Sequence, residues 1–242
     1  MAAKDKIILA LDVSSEQEAL DLVQELKDCV GAFKIGLELF TSVGPKVFES
    51  AKRAGAERVF YDSKFHDIPN TVAGASRAAV RMGVWMFNVH APGGTAMMRA
   101  SVEAAGDEAH RLGVEPPLIL GVTVLTSISA EVLRHELSVS ALMENQVTHL
   151  AQLAQNSGLS GVVASPQEIL SVKSACGPEF LVVTPGVRPA WAAKNDQARV
   201  MTPGEAVRAG ADYMVIGRAI TAAEDRRAAA ERIIEELEAV EA

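Results

Sequence analysis

Apolar runs rich in Val, Ile and Leu recur along the chain: IILALDV, AFKIGLELF, RVFYDSK, VWMFNVHA, LILGVTVL, GVVAS, FLVVTPGV and DYMVIGR. Their hydrophobicity is continuous rather than alternating, which suits strands buried on both faces of a parallel sheet. The stretches between them, such as EQEALDLVQELKD and PGEAVRAGA, are amphipathic at helical spacing. Eight such strand and helix units predict an α/β chain folded as a (β/α)8 TIM barrel. The fifth unit is less regular. Both ISAEVLRHEL and SALMENQVTHLAQLAQNSG look helical before the sixth strand, so an extra short helix is expected there. The acidic tail ERIIEELEAVEA reads as a solvated amphipathic helix that closes the barrel. No Pro/Gly/Ser-rich linker, composition break or close repeat divides the chain, so residues 1–242 are expected to form a single barrel domain.

Composition narrows the function classes. Hydrophobic residues make up 49% of the 242, enough for a large core. A formal charge of −8 argues against nucleic acid or an anionic membrane as a general partner, since both demand a basic face. An anionic ligand must therefore meet a local positive pocket. Cys29 and Cys176 lie far apart with no CxxC or Cys/His ligand spacing, and both read as buried thiols of a reducing compartment. MAAKDK passes straight into IILALDV, too short and wrongly flanked for a secretory segment, and no uncharged stretch reaches membrane-spanning length. A soluble cytoplasmic enzyme is the expectation.

Barrel active sites lie at the C-terminal ends of the strands. Polar residues gather there: Asp12 after strand one, Lys34 on strand two, Asp62 and Lys64 on strand three, His90 on strand four, and Thr126 with Ser127 after strand five. Arg188 follows strand seven, and Gly217 with Arg218 follow strand eight. An inert scaffold would carry its charges on helix faces instead. In an extended strand, Asp62 and Lys64 project from the same side with opposite charges in reach of each other; the plain alternative is a surface ion pair at a strand end. Asp67 falls past the strand end, in HDIPNT. This stretch reads as a loop entering a helix, with Pro69 in its first turn and Asp67 or Asn70 able to cap it. Lys34 sits in an otherwise apolar strand, so it either snorkels to water or is paired. TPGVRP and VIGRA place glycine beside arginine where barrels commonly hold a phosphate, with the helix after Gly217 adding its positive end. Glycine turns after strands also arise for purely geometric reasons. His66 and His90 read as structural hydrogen-bonding residues, and Met82, Met86, Met97 and Met98 as packing.

With those residues in place, the chain resembles the orotidine 5'-monophosphate decarboxylase family over essentially its whole length. DSKFHDIPNT resembles the family's Asp-x-Lys-x-x-Asp-Ile-Pro-x-Thr signature, and LALDV, FKIG, NVHA, LTS, TPGVR and IGRAI follow in the expected order. Ser63, where an apolar residue is more usual, is the departure in the signature. The resemblance implies a homodimer with two active sites at the subunit interface. Lys34, Asp62 and Lys64 would come from one subunit and Asp67, with Ile68 and Thr71, from the other. Asp12 and Lys34 would hold ribose hydroxyls, Thr126 would lie near the pyrimidine, and Arg188, Gln197, Gly217 and Arg218 would surround the phosphate. No metal or organic cofactor is implied. The implied reaction is loss of carbon dioxide from orotidine monophosphate, with Lys64 facing the carbanion at ring carbon 6 and closure of the loop RPAWAAKNDQARV driven by phosphate contacts. Related barrels share the Asp-x-Lys-x-x-Asp core but act on sugar phosphates with magnesium; they place a carboxylate metal ligand on strand two, where this chain has Lys34. A phosphate-binding scaffold would retain Gly217 and Arg218 without needing the charge array.

Overall fold

The computed structural model describes residues 1–192 and 201–241. Eight parallel strands close into a barrel in sequence order, the last pairing with the first. The elements are β1 (Ile7–Ala10), α1 (Glu16–Leu26), β2 (Ala32–Ile35), α2 (Leu37–Val43), α3 (Lys46–Ala54), β3 (Val59–Phe65), α4 (Pro69–Arg81), β4 (Met86–His90) and α5 (Gly94–Leu112). They continue with β5 (Leu118–Val122), α6 (Ala130–His135), α7 (Met143–Asn156), β6 (Gly161–Val163), α8 (Ile169–Cys176), β7 (Leu181–Pro185), α9 (Pro203–Ala209), β8 (Tyr213–Ile216), α10 (Arg218–Thr221) and α11 (Arg226–Glu241). Every apolar run expected to be a strand contains one, although the LELF end of AFKIGLELF turns into α2 instead, and α6 is the expected extra helix.

The strands read as continuously hydrophobic because each has two buried faces. Ile7 and Leu9 point outward to the helices and join the large core cluster. Ile8 points inward to a second cluster with Ala32, Phe60, Met86, Leu120, Val183 and Tyr213, which fills the barrel. That inner cluster is the floor on which the polar mouth rests. At the opposite, N-terminal face the 3-10 turn Ala3–Lys6 presses so close that a Cβ on Gly31 would stand 2.5 Å from the Asp5 backbone, which is why glycine precedes β2.

The helices follow from local chemistry. Ser15 caps α1 by accepting the Glu18 N–H, and Ala19, Leu22, Val23 and Leu26 form its buried stripe. Thr202 and Glu205 form a capping box on α9, with Pro203 at its first position. α4 departs from expectation. Its N-cap is Ile68, and no side chain caps it. The Asp67 carboxylate is engaged by the adjacent Ile68 N–H at 2.6 Å, and Asn70 already lies inside the helix. Pro69 at the first position removes one of the donors a cap would have satisfied. Cys29 is buried, but Cys176 is only half-buried, against the reading of both as buried; both are free thiols. Met86, Met97 and Met98 are core residues and Met82 packs against the core, as expected. Ile233 and Leu237 bury the apolar side of α11. Among the described residues, no helix is long and apolar enough to cross a membrane.

Candidate active site

The end of β3 is not a regular strand. Tyr61 pairs with Phe87 on β4, but Phe65 pairs with Val89, so four steps along β3 face two along its neighbour. Asp62, Ser63 and Lys64 occupy the resulting bulge. Lys64 has a φ of 50°, in the left-handed region that side chains other than glycine rarely adopt. Asp62 and Lys64 do meet, as the sequence indicates, yet the bulge rather than simple pleat alternation brings them together. Both sides of the bulge are tied to β4: Ser63 Oγ donates to the Asn88 carbonyl at 2.7 Å, and the Lys64 N–H donates to Asn88 Oδ1 at 2.6 Å.

Asp62 is the hub of the charges. Its Oδ1 receives Lys64 Nζ at 2.6 Å and Asn88 Nδ2 at 2.8 Å, while its Oδ2 lies 3.5 Å from Lys34 Nζ. Lys34 also donates to Asp12 Oδ1 at 2.8 Å. Lys34 is only 8% exposed, so it is paired rather than snorkelled. Burial works against ionisation of Asp62 and is the largest single influence on it. The two ammonium charges and the hydrogen bonds from Lys64 and Asn88 together outweigh that and hold its carboxyl below the usual aspartate range.

This cluster lines a cavity of about 340 Å³ at the C-terminal mouth of the barrel. Asp12, Lys34, Asp62 and Lys64 line it together with Arg188, Gly217 and Arg218. Thr126 and Ser127 also line it, from the loop after β5. Gly186, after β7, has a φ of 79° and turns the chain sharply before Arg188. Gly217 has a negative φ, and a Cβ there would meet nothing closer than 3.5 Å; glycine at that position leaves bare backbone facing the cavity. The helix after Gly217 is the single turn α10, so the strong positive helix end expected there is reduced to its first few N–H groups. Gln197, together with 193–200 of the expected loop, lies outside the described residues.

Asp67, Ile68 and Thr71 do not join the cavity within one chain. All three are exposed, Ile68 by 67%, on the segment leading from the bulge into α4. His66 and His90 stack with ring centroids 5.4 Å apart, and neither ring hydrogen-bonds a described residue, contrary to the hydrogen-bonding role read for them. Burial, followed by the charges of His66 and Lys64, pushes the His90 imidazole below its ordinary pKa. Among the described residues no group of three His, Cys, Asp or Glu side chains is placed to hold a metal ion. The functional neighbour that sequence reasoning passed over is Asn88. Its signal was an amide inside the apolar run VWMFNVHA, on the face shared with Met86 and His90.

Residues 5–233 match the model of the orotidine 5'-phosphate decarboxylase / HUMPS family. The orotidine 5'-phosphate decarboxylase of Syntrophomonas wolfei is 55% identical, across 98% of this chain and 100% of its own. That of Moorella thermoacetica is also 55% identical, across 99% and 95%. Among solved structures, orotidine 5'-phosphate decarboxylase from Lactobacillus acidophilus superposes with a TM-score of 0.84 at 37% identity, covering 96% of this chain and 98% of that one.

Proposed function

The chain belongs to the orotidine 5'-phosphate decarboxylase / HUMPS family and decarboxylates orotidine 5'-monophosphate to UMP in pyrimidine biosynthesis, and we propose that it does so with its own charges, without metal or organic cofactor. The observation that carries this reading is one carboxylate, Asp62, set between two ammonium groups, Lys34 and Lys64, in a cavity that Arg188 and Arg218 also line.

Loss of carbon dioxide leaves an electron pair at ring carbon 6 with no useful delocalisation into the ring. The stabilisation must be electrostatic, and a fixed ammonium at that carbon supplies it. Lys64 takes this role in our reading. Asp62 holds its Nζ at 2.6 Å, and its proton then passes to carbon 6. Lys34 balances Asp62 and, with Asp12, reaches the ribose hydroxyls. Its Nζ stands 2.8 and 3.5 Å from the two carboxylates, and an ammonium there would repel a divalent ion. Thr126 lies toward the pyrimidine. Arg188, Gly217, Arg218 and Gln197 hold the phosphate, and part of that binding free energy is used to orient the reacting end.

We also read the working enzyme as a cytoplasmic homodimer in which Asp67, Ile68 and Thr71 complete the partner's site. The exposure of these residues, and their position outside their own chain's cavity, supports this reading. Two free cysteines agree with a reducing compartment. The direct test is the ultraviolet absorbance of orotidine monophosphate incubated with purified protein and a chelator. Conversion to UMP is expected. Activity that disappears with chelator and returns with magnesium would refute cofactor independence.

A further inference from the structure

We propose that Asn88 is a positioning residue for the decarboxylation, setting the Asp62 carboxylate and the Lys64 backbone in register with each other. This rests on the functional reading above. Asn88 lies on β4, is fully buried and does not line the cavity, so it acts only through its neighbours. Phe60 and Met86 pair across β3 and β4, which brings Asp62 and Asn88, two residues further along each strand, side by side.

The two ends of one amide do different work. Nδ2 donates to Asp62 Oδ1 at 2.8 Å, and Oδ1 accepts the Lys64 N–H at 2.6 Å. The chemistry fixes this orientation, because a flipped amide would set donor against donor and acceptor against carboxylate. Lys64 Nζ reaches the same Asp62 oxygen that Asn88 holds, leaving the other oxygen toward Lys34. Asn88 thereby selects which carboxylate oxygen faces which lysine. Its second bond holds the left-handed Lys64 backbone, a conformation that persists only where surrounding contacts over-determine it. Ser63 adds to the same brace through the Asn88 carbonyl. Leucine, of similar size, would offer neither bond, and a carboxylate would repel Asp62.

Asn88→Asp tests this while keeping the shape and the acceptor for the Lys64 N–H. The titratable groups around position 88 are Asp62 and Lys64 of β3, Lys34 of β2, and His90 of β4 with His66 stacked on it. At neutral pH kcat should fall by about 100-fold while KM for orotidine monophosphate stays within about threefold, since ribose and phosphate contacts are untouched. Two adjacent carboxyls raise the pKa of one of them. On acidification the introduced carboxyl should therefore take up a proton, donate to Asp62 and restore kcat by about tenfold over a range where the wild type gains nothing. A merely structural role would move thermal stability without this pH signature. Should Asn88→Asp fail to fold, Asn88→Leu carries the same expectation of lower kcat at preserved KM, with no recovery at any pH. A kcat within threefold of wild type at neutral pH, or a loss in Asn88→Asp with no recovery on acidification, would overturn the proposal. Failure of the wild type itself to decarboxylate would overturn the functional reading instead.

Discussion

Lys34→Met keeps the length and apolar stem of the side chain and removes its charge from between two carboxylates. Lys34 Nζ lies 3.5 Å from Asp62 Oδ2, an attraction of about 5 kcal/mol at an effective dielectric near 20. The bond to Asp12 adds little, because the Asp12 side chain is 61% exposed and water replaces the lysine there. Against these losses, the variant no longer desolvates an ammonium, and Asp62 keeps Lys64 and Asn88 as partners. The net destabilisation at pH 7 should be about 2–3 kcal/mol, or roughly 4–12 °C in Tm for a chain of this length. The pH dependence has a definite sign. The depressed pKa of Asp62 contributes stability above the ordinary aspartate pKa of about 3.9, and that contribution is lost as pH falls through the folded value. Removing Lys34 raises the folded value, so the Tm gap between wild type and variant should narrow on acidification. Calorimetry of both proteins from pH 7 downward measures this. Equal Tm at pH 7, or a gap that widens in acid, would refute the pairing.

Arg218→Ala should weaken binding of UMP far more than binding of uridine, measured by calorimetry, because only the nucleotide offers the phosphate; equal losses would remove Arg218 from phosphate recognition. The same change should lower kcat, since part of the phosphate binding free energy is used at the reacting end. Lys64→Ala and Asp67→Ala should each be nearly inactive alone, yet their mixture should recover roughly a quarter of wild-type activity, because about half of randomly reassorted dimers carry one intact site. Mixtures that exchange subunits by tagged co-purification and remain inactive would place Asp67 in its own chain's site.

The barrel was legible because strands buried on two faces must be apolar throughout, and IILALDV or FLVVTPGV say so without reference to any partner. The charge cluster was legible for a related reason: Lys34 and Asp62 are costly inside a barrel unless they meet. What the sequence concealed depends on distant neighbours. The period-two rule assumes an even pleat, whereas the conformation of Lys64 is tied to Asn88, 24 residues further along the chain. The capping of α4 was misread because composition marks Asp67 as a cap, while its carboxylate turns to the next N–H. Asn88 itself went unremarked because a lone amide in an apolar run carries no charge to draw attention. Arg188 and Arg218 were legible as glycine-arginine pairs after the last two strands, and both line the cavity, although turn glycines mark strand ends in any barrel.

If Lys64 protonates a carbanion at ring carbon 6, then by microscopic reversibility the same site must also loosen the C6 hydrogen of the product. Proton NMR of UMP in heavy water, with wild-type enzyme and with Lys64→Ala, measures this without any decarboxylation. Wild type should exchange the C6 hydrogen for deuterium well above the uncatalysed rate, and Lys64→Ala should lose that exchange while remaining folded. Exchange at the wild-type rate in Lys64→Ala, or none with the wild type, would contradict it.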